Sequence, residues 1–346
     1  MNKLADIIAM TRWYIVALLL VLTTSVWMLN WVSAPVSNDQ TPVIVDIQRG
    51  WSGFRIATEL RRNGLIRSRW GFYITVGMRR EKESLKPGHY ELRPDMPMLR
   101  IIEILVRGEV AASRVTIPEG FDLRRIAARL AAAGVVNDND FLTTAQQSPF
   151  SEYPNLEGYL FPDTYILPRG SDSRAVIGEM LDNLKKKVTN PLSAEIAAFP
   201  FQCPASPARW DAQRRRLHAV LTLASLVERE AKSSKDRSLI ASVLYNRIRR
   251  GMPLQVDATV QYALGQHRSR LFYVDYKTPS EYNTYLHKGL PPGPIASPGL
   301  RSIEATLKPA ATNYLYYVAR ADGSHVFSTT LAGHNQARQA IRQGGG

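Results

Sequence analysis

Two acidic residues, Glu228 and Glu230, sit inside Leu223-Ala224-Ser225-Leu226-Val227-Glu228-Arg229-Glu230, a run that otherwise reads as buried helix. A carboxylate among apolar groups is costly when charged, so it tends to keep its proton towards neutral pH. Such a glutamate can act as a general acid, the part that cleavage of a glycosidic bond calls for. On a helical wheel the segment 217–232 has one polar sector, formed by His218, Thr222, Ser225, Arg229 and Lys232. Glu228 projects among Leu217, Leu221 and Ala224 at the edge of that sector, whereas Glu230 projects among Ala219, Leu223 and Leu226, away from it. A catalytic acid needs apolar walls and a mouth that substrate can reach, and Glu228 fits that description better. A buried glutamate paired with one of the chain's many arginines is the competing reading.

Other polar groups follow in clusters. Glu157 and Asp163 lie in the aromatic stretch Leu156 to Tyr165, which reads either as a buried loop or as a cleft wall. Asn246 lies near a helix end, and Gln255 and Asp257 precede a short helix that Asp257 is suited to cap. Tyr282, Asn283 and Tyr285 combine amide, hydroxyl and ring, the groups that stack on sugars and meet their hydroxyls. The six histidines show no metal-ligand spacing and Cys203 is the single cysteine, so no metal or cofactor site and no intramolecular disulfide is expected. Cys203 sits among Pro200, Pro204 and Pro207 and reads as part of a surface loop. There is no P-loop, no S-x-x-K pair and no G-x-S-x-G elbow, which weakens nucleotide chemistry and serine acyl transfer.

These groups must be held by a chain of 346 residues with a net charge of +14. Trp13 to Val32 carries no charge and has aromatics towards both ends, as a membrane-spanning helix has. Lys3 and Arg12 precede it and no Lys or Arg follows until Arg49, which expects a cytoplasmic N-terminus over 1–12 and a body outside an inner membrane. That single-pass location disfavours nucleic acid as partner and favours lipid or an acidic extracytoplasmic polymer. A linker is expected over 33–42. Ile47, Gly50, Arg55, Ile56, Ala57, Leu60 and Gly64 then recur 70 residues later as Ile117, Gly120, Arg125, Ile126, Ala127, Leu130 and Gly134, with Trp51 recurring as Phe121. Each copy reads as strand, Gly-centred turn and helix.

The segments LEGYLFPDTY (156–165), LASLVERE (223–230), ASVLYNR (241–247), LQVDATV (254–260), YNTY (282–285), GLPPGPIASPG (289–299) and YLYYVARADGSHVFSTTLAGHN (314–335), in that order, resemble the endolytic murein transglycosylase, or YceG-like, family. The resemblance implies an α+β fold with a single N-terminal transmembrane helix over 13–32. A LysM-like βααβ module over 43–112 and a second βα repeat unit over 113–150 follow. A catalytic domain over 151–340 comes next, with a buried helix carrying the acid and a C-terminal β-hairpin, and then a flexible tail over 341–346. It implies an inner-membrane enzyme that cuts nascent peptidoglycan without water to leave 1,6-anhydro-N-acetylmuramic ends, with peptidoglycan synthases as partners. Glu228, the first Glu of the motif, is implied as the catalytic acid. Gln255, Tyr282, Asn283 and Tyr285 are the expected substrate contacts, with Asn246 and Asp257 nearby and Glu157 and Asp163 lining the cleft. A lysozyme-like hydrolase and a non-catalytic glycan-binding scaffold are the alternatives.

Overall fold

The computed structural model describes residues 2–79, 84–150, 155–204, 207, 210–266, 268 and 270–343, with backbone alone for 2–12, 14 and 17. The chain is α+β and forms two compact units, Met1–Ser113 with Pro168–Gly170, and Arg114–Leu167 with Ser171–Gly346.

The first unit opens with helix α1 (Asn2–Ser33). The expected membrane span is not supported there: among the described residues no helix is long and apolar enough to cross a membrane. Thr23, Thr24, Ser25 and Asn30 break the apolar character of the C-terminal half of α1. The single-pass inner-membrane location expected from the charge pattern falls with it. Strand β1 (Val43–Ile47), helices α2 (Gly53–Arg62) and α3 (Arg69–Met78), and strand β2 (Gly88–Leu92) follow. β1 and β2 pair antiparallel with Val45 opposite Tyr90. Helix α4 (Met98–Arg107) adds Ile101, Ile102 and Leu105 to a core with Leu60, Phe72 and Tyr90. Each such fully buried apolar side chain contributes about 1.5–3 kcal/mol.

Strand β3 (Ala112–Thr116) pairs with β4 (Thr164–Pro168), and between them lie helices α5 (Leu123–Ala132) and α6 (Asp138–Gln146). The 70-residue repeat is visible in three dimensions. Ser52 caps α2 by accepting from the Arg55 N–H, and Asp122 caps α5 by accepting from the Arg125 N–H. Gly50 and Gly120 both turn the chain at positive φ, 86° and 77°. Arg55 lies 4.4 Å from the Trp51 ring centroid and Arg125 lies 5.7 Å from that of Phe121.

The second unit is completed by helices α7 (Ser173–Leu184), α8 (Ser193–Ala197), α9 (Ala212–Glu230), α10 (Arg237–Arg249), α11 (Asp257–Ala263), α12 (Leu300–Leu307) and α13 (Leu331–Gln343). A hairpin of β5 (Tyr316–Ala319) and β6 (His325–Ser328) precedes α13. α9 is its central element, buried at every position from Leu217 to Val227. Up to Val227 the supposed polar sector of this helix is a buried seam. The His218 Nε2–H donates to the Pro292 carbonyl (2.8 Å), which leaves Nδ1 to accept from the Tyr159 hydroxyl (2.7 Å). Ser225 Oγ accepts from the Ile295 N–H at 3.1 Å. His218 and Ser225 therefore face the Pro-rich loop 289–299, while Lys232 at the far end of the sector is exposed.

Cys203 corrects its own expectation. It is buried, its thiol donates to Thr222 Oγ1 at 3.3 Å, and burial pushes its pKa up to about 12. Of the tail expected over 341–346, residues 341–343 end α13 and 344–346 lie outside the described residues.

Candidate active site

Asp211 starts α9 by accepting from the Arg214 N–H at 2.8 Å, and the helix ends at Glu230, after which Ala231 is extended. Two positions along an α-helix turn the side chain by about 200°. Glu228 and Glu230 therefore face different surroundings.

Glu230 faces a cavity of about 390 Å³ that Arg247, Gln255, Asp257, Tyr285 and Tyr317 also line. The Tyr317 hydroxyl donates to Glu230 Oε2 at 3.0 Å, and the nearby Ala258 backbone also favours the charged carboxylate. Burial raises its pKa to about 7; the Tyr317 hydroxyl opposes the rise and the charge of Asp257 adds to it. Asp257 itself is exposed and accepts from the Tyr285 hydroxyl at 2.5 Å and the Tyr276 hydroxyl at 3.4 Å. The cavity thus holds one carboxyl that keeps a proton near neutrality and one carboxylate solvated by phenols.

Gln255 is the one non-glycine among the described residues with positive φ, 53°. Its N–H is fixed on the Thr284 carbonyl at 3.1 Å, and its side chain is exposed at the cavity. A left-handed backbone at a non-glycine costs about 1 kcal/mol or more and recurs at ligand clamps. Arg247 braces the far wall, donating to the Leu315 and Leu254 carbonyls at 2.7 Å each while lying 5.3 Å from the Tyr316 ring centroid.

Glu228 occupies a different setting. Its side chain is 8% exposed, and Oε2 accepts from the Gly299 N–H (3.1 Å) and the Ser302 hydroxyl (2.7 Å) at the start of α12. Arg237 Nη2 stands 3.6 Å from Oε1. The apolar walls expected around this carboxylate are polar donors and a guanidinium instead. Glu119 lies beside it and has its own pKa raised by burial and by the charge of Glu228, with Arg237 and Arg301 opposing.

The remaining expected residues divide. Gln255, Asp257 and Tyr285 meet at the Glu230 cavity. Glu157 is buried on another cavity, its carboxylate accepting from the Leu123 N–H at 3.2 and 3.3 Å, and burial raises its pKa to about 8. Asp163 is tied to Lys187 (2.5 Å) and Asn183 (2.7 Å) and lines neither cavity. Asn246 gives its amide to the Thr312 and Tyr314 carbonyls, both at 2.9 Å. Asn283 is fully buried and bonds the Tyr276 and Thr278 carbonyls and the Tyr285 N–H. Tyr282 is half-buried against the Tyr262 ring, centroids 4.8 Å apart. Asn246, Asn283 and Asp163 thus hold loops and strands in place. Arg247 and Tyr317 also line the Glu230 cavity and were not among the expected residues; the signal for Tyr317 was a polar and aromatic run, 314–335, that is too rich in hydrogen-bonding groups for a plain hairpin.

The family model described as YceG-like matches residues 45–340. The chain belongs to the YceG-like family. A relative from Bacillus subtilis named endolytic murein transglycosylase is 34% identical, covering 88% of this chain and 86% of the relative. One of the same name from Streptococcus pneumoniae is 30% identical over 82% of this chain, which spans only 55% of that relative's length. A crystal structure of a YceG-like protein from Listeria monocytogenes is 33% identical with a TM-score of 0.57, covering 86% of this chain and 99% of that one.

Proposed function

We propose that this chain is a peptidoglycan lytic transglycosylase that cuts glycan strands internally, with Glu230 as its acid and base. The observation that carries the reading is a buried carboxyl with a pKa near 7 facing a cavity lined by amide, phenol and carboxylate. The shared family and the names of the relatives support the same reaction class.

In this reading Glu230 gives its proton to the O4 of N-acetylglucosamine as the bond to the muramoyl anomeric carbon breaks. Asp257, on the same cavity, stabilises the positive charge growing at that carbon. The muramoyl C6 hydroxyl then attacks the same carbon and surrenders its proton to Glu230, which closes a 1,6-anhydro ring and restores the acid. Gln255 and Tyr285 hold sugar hydroxyls and a ring face. Glu228 serves the site indirectly by fastening α12 to α9. Acting on nascent strands, the reaction would end their elongation beside the synthases that make them. The βααβ module of the first unit, similar in element order to LysM modules, would hold the strand.

The pair Glu230 and Asp257 also favours a second reading. A protonated glutamate in a buried setting opposite a solvated aspartate is the carboxylate pair of a lysozyme-like hydrolase. One experiment decides: incubate the full chain with uncrosslinked glycan strands and weigh the products. Anhydro ends, lighter than reducing ends by one water, support the transglycosylase. Reducing ends support the hydrolase, and no fragments at all would leave a glycan-binding scaffold.

A further inference from the structure

A second cavity, of about 380 Å³, lies between α5 and α11, and its walls carry three guanidiniums, those of Arg124, Arg125 and Arg229. Among the described residues none of the three is ion-paired with a carboxylate. Arg124 donates to the Gly265 carbonyl at 2.7 Å, Arg229 reaches the Gly120 carbonyl at 3.5 Å, and Arg125 lies over the Phe121 ring. Burial and the like charge of Arg125 both lower the proton affinity of Arg229, so two cations are held against each other in a partly desolvated place.

Acidic groups stand near: the charges of Asp122, Glu230 and Glu228 favour the cationic form of Arg229, though among the described residues none forms an ion pair with it. Asp122 uses an oxygen to cap α5, and Glu157 bonds the Leu123 N–H with its own charge disfavoured by burial. The cavity thus carries three guanidiniums, one exposed and two half-buried, none of them ion-paired among the described residues, and an oxyanion from outside would suit them. Gln261 adds an independent sign: its Oε1 is buried, has no hydrogen-bond partner among the described residues and belongs to a side chain lining this cavity. That oxygen calls for an N–H donor. A ligand offering both a carboxylate and N–H groups is a peptide.

We propose that the arginine-lined cavity between α5 and α11 is a subsite for the carboxylate-bearing peptide stem of the glycan strand. The assignment rests on the proposed function in one respect, that the strand lies at Glu230. Ala258 joins the two places, since it lines the arginine cavity while its backbone stands close enough to Glu230 to favour the charged carboxylate. A sugar held at the acid therefore stands beside the entrance that its own stem would take.

The test compares the full chain with its Arg125→Gln and Arg124→Gln variants on strands that keep their stems and on strands stripped of them by an amidase. Wild type favours stem-bearing strands in kcat/KM, and each variant lowers that preference about tenfold, mainly through KM. Arg124 is exposed, so its substitution keeps the fold. Arg125→Lys, which keeps charge but not the planar fork, restores part of the preference. A preference equal in wild type and both variants overturns the assignment. So does a stem-free strand ending in a diphosphate that competes as well as a stem-bearing one. Calorimetry of an N-acetylmuramoyl-peptide with the Glu230→Gln chain separates the two readings. Binding that needs Arg125, in a protein whose wild type releases no fragments, supports the subsite and sinks the reaction.

Discussion

Replacing Glu230 by glutamine keeps the shape of the acid and removes its charge. The buried carboxyl has its pKa lifted from the ordinary 4.5 to about 7. A folded-state pKa raised in this way means that folding disfavours the ionised form. The stability that Glu230 permits is fully present below the unfolded value of 4.5 and is lost as pH rises through about 7. The shift corresponds to about 3 kcal/mol at one unit per 1.36 kcal/mol. The glutamine variant never ionises, and its amide oxygen still accepts from Tyr317. The two proteins are expected to unfold alike in acid. The variant gains up to about 3 kcal/mol near pH 8, a rise in Tm of several degrees for a unit of this size. Activity moves the other way, falling at least about a hundredfold at every pH. Thermal denaturation across pH, run beside product mass spectrometry, reads both. A variant that is less stable than wild type above neutrality, or that still releases fragments at the wild-type rate, refutes the reasoning.

Glu228→Gln has the reverse signature: it leaves Arg237 without its carboxylate and costs about 1–3 kcal/mol in denaturant unfolding, while the folded fraction keeps kcat within a few-fold. Tyr317→Phe removes the hydroxyl that lowers the Glu230 pKa, so the alkaline limb of the pH–rate profile moves to higher pH, as steady-state rates would show. Gln255→Gly relieves the positive φ and stabilises by about 1 kcal/mol in chemical denaturation while raising KM, since the clamp side chain is lost. Asn283→Ala strips three hydrogen bonds from a buried loop and lowers stability by about 2 kcal/mol, with fragment release from the remaining folded protein retained.

Much of the frame was legible in the chain. The 70-residue repeat foretold the matched caps, turns and arginine–aromatic stacks because caps and turns are local devices, fixed by residues three or four apart. The buried helix over 212–230 announced itself by near-continuous apolar character. The choice between its two glutamates was not legible. A wheel reports which residues share a face, and it cannot report what covers that face. His218, Thr222 and Ser225 looked like an exposed edge, yet the loop 289–299, some seventy positions away, meets His218 and Ser225 with backbone hydrogen bonds, and Cys203 meets Thr222. The opening lies instead at the helix end, where Gln255, Asp257 and Tyr317 arrive from later in the chain. Where the amides of Asn246 and Asn283 would bond was not legible for a related reason: an amide suits a carbonyl of the protein as well as a hydroxyl of a sugar. The N-terminal helix formed, but an uncharged run alone did not make a segment apolar enough over its described length to cross a membrane.

The β5–β6 hairpin is anchored to its surroundings through side chains. Arg247 grips the carbonyl just before β5, and Asp236 accepts from both the backbone and the ring of His325 at its other strand. The same hairpin carries Tyr317, whose hydroxyl sets how firmly Glu230 keeps its proton. Cavity wall and acid strength therefore share one element: a substitution that loosened either anchor and drew Tyr317 away would weaken the phenol's hold and leave the acid more fully loaded.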